Sequence, residues 1–250
     1  MYIYNINKNE TALKLNPHIS IDCVIFGFDG NNLKILLLNR QLDESIQDLK
    51  LPGNFISDDE DLDAAAYRIL KELTGLENIY LRQFSVFGSP HRIQKKRDID
   101  WLRKTTGLPI ERVVTIAYYS LISIRDIKSE KAVINNATWI DIDRVQELAF
   151  DHMDILKEGL RTLRTKLQFK PVGMELLPRK FTIRQLQNLY EAILSKSLDN
   201  RNFRKKVLKA NYLVPLEEKE KNVAHKPARL YSFNKGIYED SFNQFEGFQF

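Results

Sequence analysis

Residues 51–76 constrain the fold more than any other stretch of the chain. Leu51-Pro52-Gly53-Asn54-Phe55 leads into the polar run Ser57-Asp58-Asp59-Glu60, and an amphipathic segment follows from Asp61 to Thr74-Gly75. Leu62, Ala65, Ala66, Ile69 and Leu73 recur at helical spacing, Ser57, Asp58 and Asp59 are candidate N-caps, and Gly75 stands where a left-handed C-cap belongs. The pattern predicts a strand, a loop and a helix with one buried face. Charges on the other face have the usual fate of solvated side chains unless a ligand sits beside them.

The same spacing resembles the Nudix box. That motif places a glycine, a glutamate six residues later, and then Arg-Glu-apolar-any-Glu-Glu-any-Gly-apolar around a diphosphate and its magnesium. Aligned backwards from Gly75-Leu76, this chain keeps Glu60, Arg68, Leu70 and Glu72, while Asn54 replaces the box glycine and Gly53 precedes it. The resemblance implies metal-binding carboxylates at 69, 72 and 73, where the chain has Ile69, Glu72 and Leu73. Magnesium demands near-octahedral oxygen ligation, which one glutamate between two apolar side chains does not supply. A Nudix-like fold without hydrolysis, without a metal and without catalytic residues is the expectation.

With 250 residues the chain has room for two modest cores. No segment reaches the length of a membrane helix and the first residues show no leader pattern, so a cytoplasmic protein is expected. Cys23 is the one cysteine, which excludes an internal disulfide and predicts a buried thiol. Charge is unevenly placed. Residues 171–250 hold 14 Lys and Arg against 9 Asp and Glu, leaving 24 of each in the preceding part, so the whole formal excess of +5 sits in the last third. That asymmetry points to a separate segment meeting a polyanion.

Along the chain, His18 to Phe28 and Leu33 to Asn39 read as a hairpin around Asp29-Gly30-Asn31-Asn32, with Arg40 just past the second strand. Tyr80 to Phe87, Arg112 to Ile124 and Asn136 to Asp141 read as further strands. Gly88 to Glu111 reads as a long loop, of the kind that is functional or disordered in compact domains. A short helix is expected around Val145 to Leu148 and a longer one from Met153 to Leu167. His152, beside Asp151 at a helix start, reads as a capping and packing residue, since no nucleophile motif accompanies it.

Pro171 and Gly173 interrupt the helical pattern and set a boundary between domains at 1–170 and 171–250. Beyond it, Thr182 is a plausible N-cap for a helix to Leu194, and Asp199 caps a second helix, Asn200 to Ala210. Tyr212 to Val214 and Ala228 to Phe233 form a β-pair around a charged loop. Helix, turn, basic helix and β-ribbon in that order describe a winged helix-turn-helix. Asn200, Arg201, Asn202, Arg204 and Lys205 are candidates for base edges and phosphates, Arg184 and Gln185 for phosphate, and Lys226 and Arg229 for the neighbouring backbone. Four phenylalanines, Phe242, Phe245, Phe248 and Phe250, punctuate the polar end and are expected to pack on the chain or a second subunit.

Both halves are similar to the Nudix-related transcriptional regulators. The resemblance is carried by Ile21-Asp22-Cys23-Val24-Ile25-Phe26-Gly27-Phe28, Leu73-Thr74-Gly75-Leu76-Glu77-Asn78, Glu111-Arg112-Val113-Val114, Ala117-Tyr118-Tyr119, Phe150-Asp151-His152 and Asp199-Asn200-Arg201-Asn202-Phe203-Arg204-Lys205. Residues 92–108 look like an insertion relative to that family. The resemblance implies an α+β chain: an N-terminal Nudix-like α/β/α sandwich with a mixed sheet, and a C-terminal winged helix. It also implies a homodimer on operator DNA, and a small effector such as a sugar, a sugar phosphate or ADP-ribose in the Nudix cleft, with no cofactor. Arg40, Asn54, Phe55, Glu72 and Arg112 are the candidate effector residues by position. The alternative is a magnesium-dependent hydrolase of ADP-ribose or another nucleoside-diphosphate sugar, with Glu60 and Glu72 helped by Asp98, Asp100 or Glu111.

Overall fold

A computed structural model describes residues 14–40, 48–124, 137–169, 176–209, 212–221, 223–224, 226–234 and 236. Its spine is β1 (Leu15–Phe28), buried from Ser20 to Phe28. Successive side chains of a strand point to opposite faces. Ile21, Cys23 and Ile25 therefore enter one layer while Val24, Phe26 and Phe28 enter the other. Burial on both faces explains why this stretch is nearly all apolar in sequence, with Ser20 and Asp22 as its polar positions.

Along one side of β1 runs β6 (Val114–Ser123), parallel, in register from Ile19↔Val114 to Phe28↔Ser123. Beyond β6 lies β5 (Arg82–Phe87), antiparallel. On the other side β1 changes partner. β4 (Gly53–Ser57) pairs with Ser20 to Asp22, and β2 (Leu33–Asn39) with Phe26 to Phe28. β2 also carries β3 (Leu49–Lys50) and β7 (Ala137–Asp141). The mixed sheet thus forks between Asp22 and Phe26, where Cys23 N–H donates to Pro52 O at 2.8 Å.

One face is covered by α1 (Leu62–Thr74), whose Ala65, Ala66, Ile69, Leu70 and Leu73 meet Ile21, Cys23 and Ile25. Its N-cap is Asp61, later than the Ser57–Asp59 run expected to supply it. The Asp61 carboxylate accepts from Ala64 N at 2.8 Å, a bond worth about 1 kcal/mol, and Gly75 closes the helix at φ 70°. The opposite face is covered by α3 (His152–Phe169), through Ile155, Leu156, Leu163 and Leu167.

Two expectations are corrected between these layers. The segment 88–111 is not a plain loop: it holds α2 (Lys96–Thr106), closed by Gly107 at φ 69°. In place of a helix at 145–148 there is a 3-10 turn, Ile142–Arg144, after which Val145 is extended. Leu148 and Ala149 are drawn into the core and Ala149 N–H bonds to Leu49 O, which holds that stretch off a helical path.

The last third is a helix pair and a ribbon. α4 (Ile183–Leu194) starts on a full capping box, with Thr182 Oγ1 accepting from Gln185 N at 3.2 Å and Gln185 Oε1 accepting from Thr182 N at 2.8 Å. α5 (Asn200–Lys209) starts on Asp199, whose carboxylate accepts from Asn202 N at 2.8 Å. β8 (Leu213–Lys219) pairs with β9 (Arg229–Phe233), and Phe181 bridges to Tyr231. Leu186, Leu189, Tyr190, Ile193, Phe203, Val207 and Tyr231 form an apolar core continuous with the α3 side of the sheet. Residues 170–175, which hold the expected domain boundary, and the phenylalanine-rich end lie outside the described residues. No described helix is long and apolar enough to cross a membrane.

Candidate functional site

The box region is built from three charged side chains. Glu60 accepts from Ser57 N at 2.6 Å and from Arg68 Nε at 2.8 Å, and Arg68 Nη1 reaches Glu72 Oε2 at 3.0 Å. Hydrogen bonding to Arg68 holds the Glu60 carboxyl below the usual carboxylate range, against the opposing effect of burial. Ile69 and Leu73, at the positions where the box would hold metal ligands, point into the core. Among the described residues no group of three or more His, Cys, Asp or Glu side chains converges to hold a metal ion.

Beneath the fork lies a second, buried cluster. Gly53 packs so closely on Asp22 that an added Cβ would stand 2.0 Å from Asp22 Oδ1, so only glycine fits there. Asp22 accepts from Thr115 Oγ1 at 2.8 Å, faces His152 Nε2 at 3.3 Å and has Arg92 Nη2 at 3.6 Å. Arg92 itself donates two hydrogen bonds to the Asp151 carboxylate, from Nε at 2.9 Å and from Nη2 at 2.8 Å. Leu51 N–H donates to His152 Nδ1 at 2.9 Å, which makes that nitrogen an acceptor and leaves the proton on Nε2, facing Asp22. Burial, with the cations Lys50 and Arg92 nearby, pushes His152 down to about 4, although Asp22 and Asp151 pull the other way. Lys50, donating to Gly53 O at 2.8 Å, is pushed down to about 8, first by burial. For Asp22 burial acts upward, but His152, Arg92 and Lys50 more than reverse it and the carboxyl stays below its ordinary value.

The segment 92–113 closes over this ground. Asp98 is buried and accepts from Arg40 Nη2 at 2.6 Å, while Asp48 accepts from Arg40 Nε at 2.9 Å and from the same Nη2. The Arg40 guanidinium also lies 5.1 Å from the Trp101 ring centroid and 4.8 Å from that of Phe150. Phe55 packs with Ile110 and Val113, joined by Leu102 and Leu108. Beside the segment opens a cleft of about 510 Å³, lined by residues that include His91, Arg92, Asp98, Phe150 and Asp151.

In the last third, α5 buries Phe203 and Val207 and turns Arg201, Asn202, Arg204, Lys205 and Lys209 to solvent. Gln187 ties the two helices together by donating to Leu198 O at 2.8 Å and to Asn200 Oδ1 at 2.7 Å. A helix held proud of its partner with a cationic outer face fits a major groove.

Comparison with known proteins joins the two parts. The NUDIX domain matches residues 16–159 and the NrtR DNA-binding winged helix domain residues 173–233. The ADPR responsive transcriptional repressor NtrR of Acinetobacter baylyi is 30% identical over 231 residues, 91% of this chain and 86% of that protein. The chain belongs to the NrtR family of Nudix-related regulators. Shewanella oneidensis NrtR, in a crystal structure complexed with a 27mer DNA, shares 25% identity and a TM-score of 0.70 over 92% of this chain and 97% of that one. An ADP-ribose pyrophosphatase of Methanocaldococcus jannaschii is 28% identical over 149 residues, 60% of this chain and 76% of that protein.

Within this NrtR-family chain the five effector candidates are not gathered at one open surface. Arg40 departs most from expectation: it was placed to meet an anion, yet it is buried and bound by Asp48 and Asp98. Phe55 is buried too, Asn54 is half-buried beside it on β4, Glu72 is exposed and paired with Arg68, and Arg112 is exposed, donating to Gly88 O at 3.1 Å. Asp22, Arg92, Lys50 and Thr115 were missed by sequence reasoning. The available signal was one charged residue, Asp22, inside an otherwise apolar strand.

The reading-head candidates divide likewise. Arg201, Asn202 and Lys205 stand exposed on α5, and Lys226 is exposed on the hairpin. Arg204 reaches Tyr231 Oη at 3.4 Å, Arg184 Nη1 donates to Asn200 Oδ1 at 3.0 Å, and Gln185 serves the α4 cap. Arg229 is bound within the ribbon to Leu216 O and Glu217, both at 2.7 Å. The ribbon is less basic than its loop lysines imply, because Glu217, Glu218 and Glu220 line its first strand and the turn beyond.

Proposed function

We propose that this chain is an ADP-ribose-responsive transcriptional repressor: the winged helix binds operator DNA, and the Nudix-like domain binds ADP-ribose without hydrolysing it. The observation that carries the reading is the exposed cationic face of α5, on a capped helix pair, in a chain that aligns over most of its length with an NrtR bound to DNA. ADP-ribose is the effector named for the Acinetobacter relative. Two copies on a two-fold operator give the geometry a reason to dimerise. Loss of hydrolysis is supported by Ile69 and Leu73 in the core and by Glu60 and Glu72 held on Arg68.

The test is operator binding by fluorescence anisotropy, with and without ADP-ribose. Salt-sensitive binding that ADP-ribose weakens is expected; indifference of binding to ADP-ribose, phosphate sugars and pentoses alike refutes the effector half. A second reading, a hydrolase, is favoured by the archaeal pyrophosphatase relative. Magnesium-dependent turnover of ADP-ribose that disappears in Glu72→Gln would establish it.

A further inference from the structure

One helix touches both the cleft and the reading head. The N-terminal end of α3 is fastened at the fork: His152 bonds to Leu51 N and faces Asp22, and Asp151 grips Arg92. Twelve residues later, roughly 18 Å along the axis, Arg164 leaves the Nudix-like layer and closes the far end of α4. Its Nε donates to Ile193 O at 2.8 Å and its Nη2 to Ser195 Oγ at 2.9 Å. Between the two ends α3 lies hard against the central strand, since a Cβ on Gly159 would stand 3.3 Å from Val24 Cγ1.

The contact at α4 has two physical parts. A cation at a helix C-terminus meets the negative end of the macrodipole and satisfies a carbonyl left without an intrahelical partner. Ser195, the C-cap, sits in the left-handed region at φ 51°, where glycine or asparagine is the usual occupant. Backbone bonds from Ser195 N–H and Lys196 N–H to Glu191 O close this turn, and the Arg164 bond to Ser195 Oγ adds a side-chain tie from α3. Arg164 thus ties α3 to the close of α4. Since α4 supports α5 through Gln187, the placement of the reading head follows.

We propose that α3 is a lever on the Gly159–Val24 contact and that Arg164 is its coupling residue, passing the state of the cleft to the end of α4 and so to operator affinity. This rests on the functional reading above and names the route of regulation. A ligand moves such an equilibrium only as far as it prefers one placement of the lever.

The test uses the full-length chain, with operator affinity measured with and without ADP-ribose, ADP-ribose affinity by calorimetry, and amide exchange at residues 193–198. In Arg164→Ala, exchange there speeds at least tenfold and the ADP-ribose effect on operator affinity shrinks at least tenfold, while ADP-ribose affinity stays within about threefold of wild type. Ser195→Gly keeps the turn, drops the Oγ acceptor and gives an intermediate loss of response, a variant that stands in should Arg164→Ala not fold. Undiminished response in both variants, or unchanged exchange in a folded Arg164→Ala, overturns the lever while leaving the function intact. A wild-type protein that binds neither operator nor ADP-ribose overturns the function itself and the lever with it.

Discussion

Two amphipathic helices, α1 and α5, carry dense charge on their wet faces and use it oppositely. On α1 the charges answer one another: Arg68 holds Glu60 and Glu72, Lys71 meets Glu77, and Asp63 accepts from Tyr118 Oη. On α5, Arg201, Lys205 and Lys209 make no ion pair among the described residues. Compensated charge stabilises its own scaffold, and charge left to water is available to a polyanion. Sequence already separates them in part, since α1 carries both signs and α5 only cations. The structure adds which of those charges have a partner and which are left to water.

The sharpest way to break this contrast is Arg201→Ala with Lys205→Ala, two side chains with no ion-pair partner among the described residues. Operator affinity is expected to fall at least 100-fold, with the slope of log affinity against log salt shallower by about 2. The matching change on α1, Lys71→Ala, leaves that affinity unaltered.

Next in size is the buried cluster at the fork, where compensation is most complete. His152 ordinarily titrates near 6.5 and is held near 4 in the fold, so the unfolded chain takes up the proton first. The stability it contributes is fully present above pH 6.5 and lost as the pH falls toward 4. A loss on the order of 3 kcal/mol is expected over that window in denaturant titrations, flattened in His152→Gln. Lys50 acts on the alkaline side: held near 8 against 10.5, it makes stability rise as pH climbs through that interval.

Smaller still is Arg68→Ala. Removing the shared cation leaves half-buried Glu60 on Ser57 N alone, and a loss of about 1–2 kcal/mol is expected from the shift in urea midpoint. Smallest is Glu72→Gln. Glu72 is exposed, so stability should stay within about 0.5 kcal/mol of wild type, with magnesium-dependent release of AMP from ADP-ribose at background in both proteins.

What the sequence made legible follows the range of the forces involved. The run from Ile21 to Phe28, the Gly75 stop, and the Thr182 and Asp199 caps are local signals, and the structure has each of them. α2 was hidden because Lys95, its N-cap residue, makes no side-chain cap bond, and Lys96 and Arg97 oppose the helix dipole in its first turn. Gly107 was the one readable stop. The fate of Arg40 was equally hidden. One partner, Asp48, lies eight residues away, but the other, Asp98, lies 58 residues away and reaches Arg40 only through the folding of α2. The Asp22 cluster likewise assembles from β1, β3, β6, the Arg92 turn and α3, too far apart in sequence for a spacing motif.

The unbroken apolar core from Val24 through Leu163 to Tyr231 has a consequence for how the molecule comes apart. Neither half can shed the other without wetting the same oily seam. Heating should therefore give one endotherm rather than two, and a fragment beginning near residue 176 should clump in solution instead of persisting as a free-standing head.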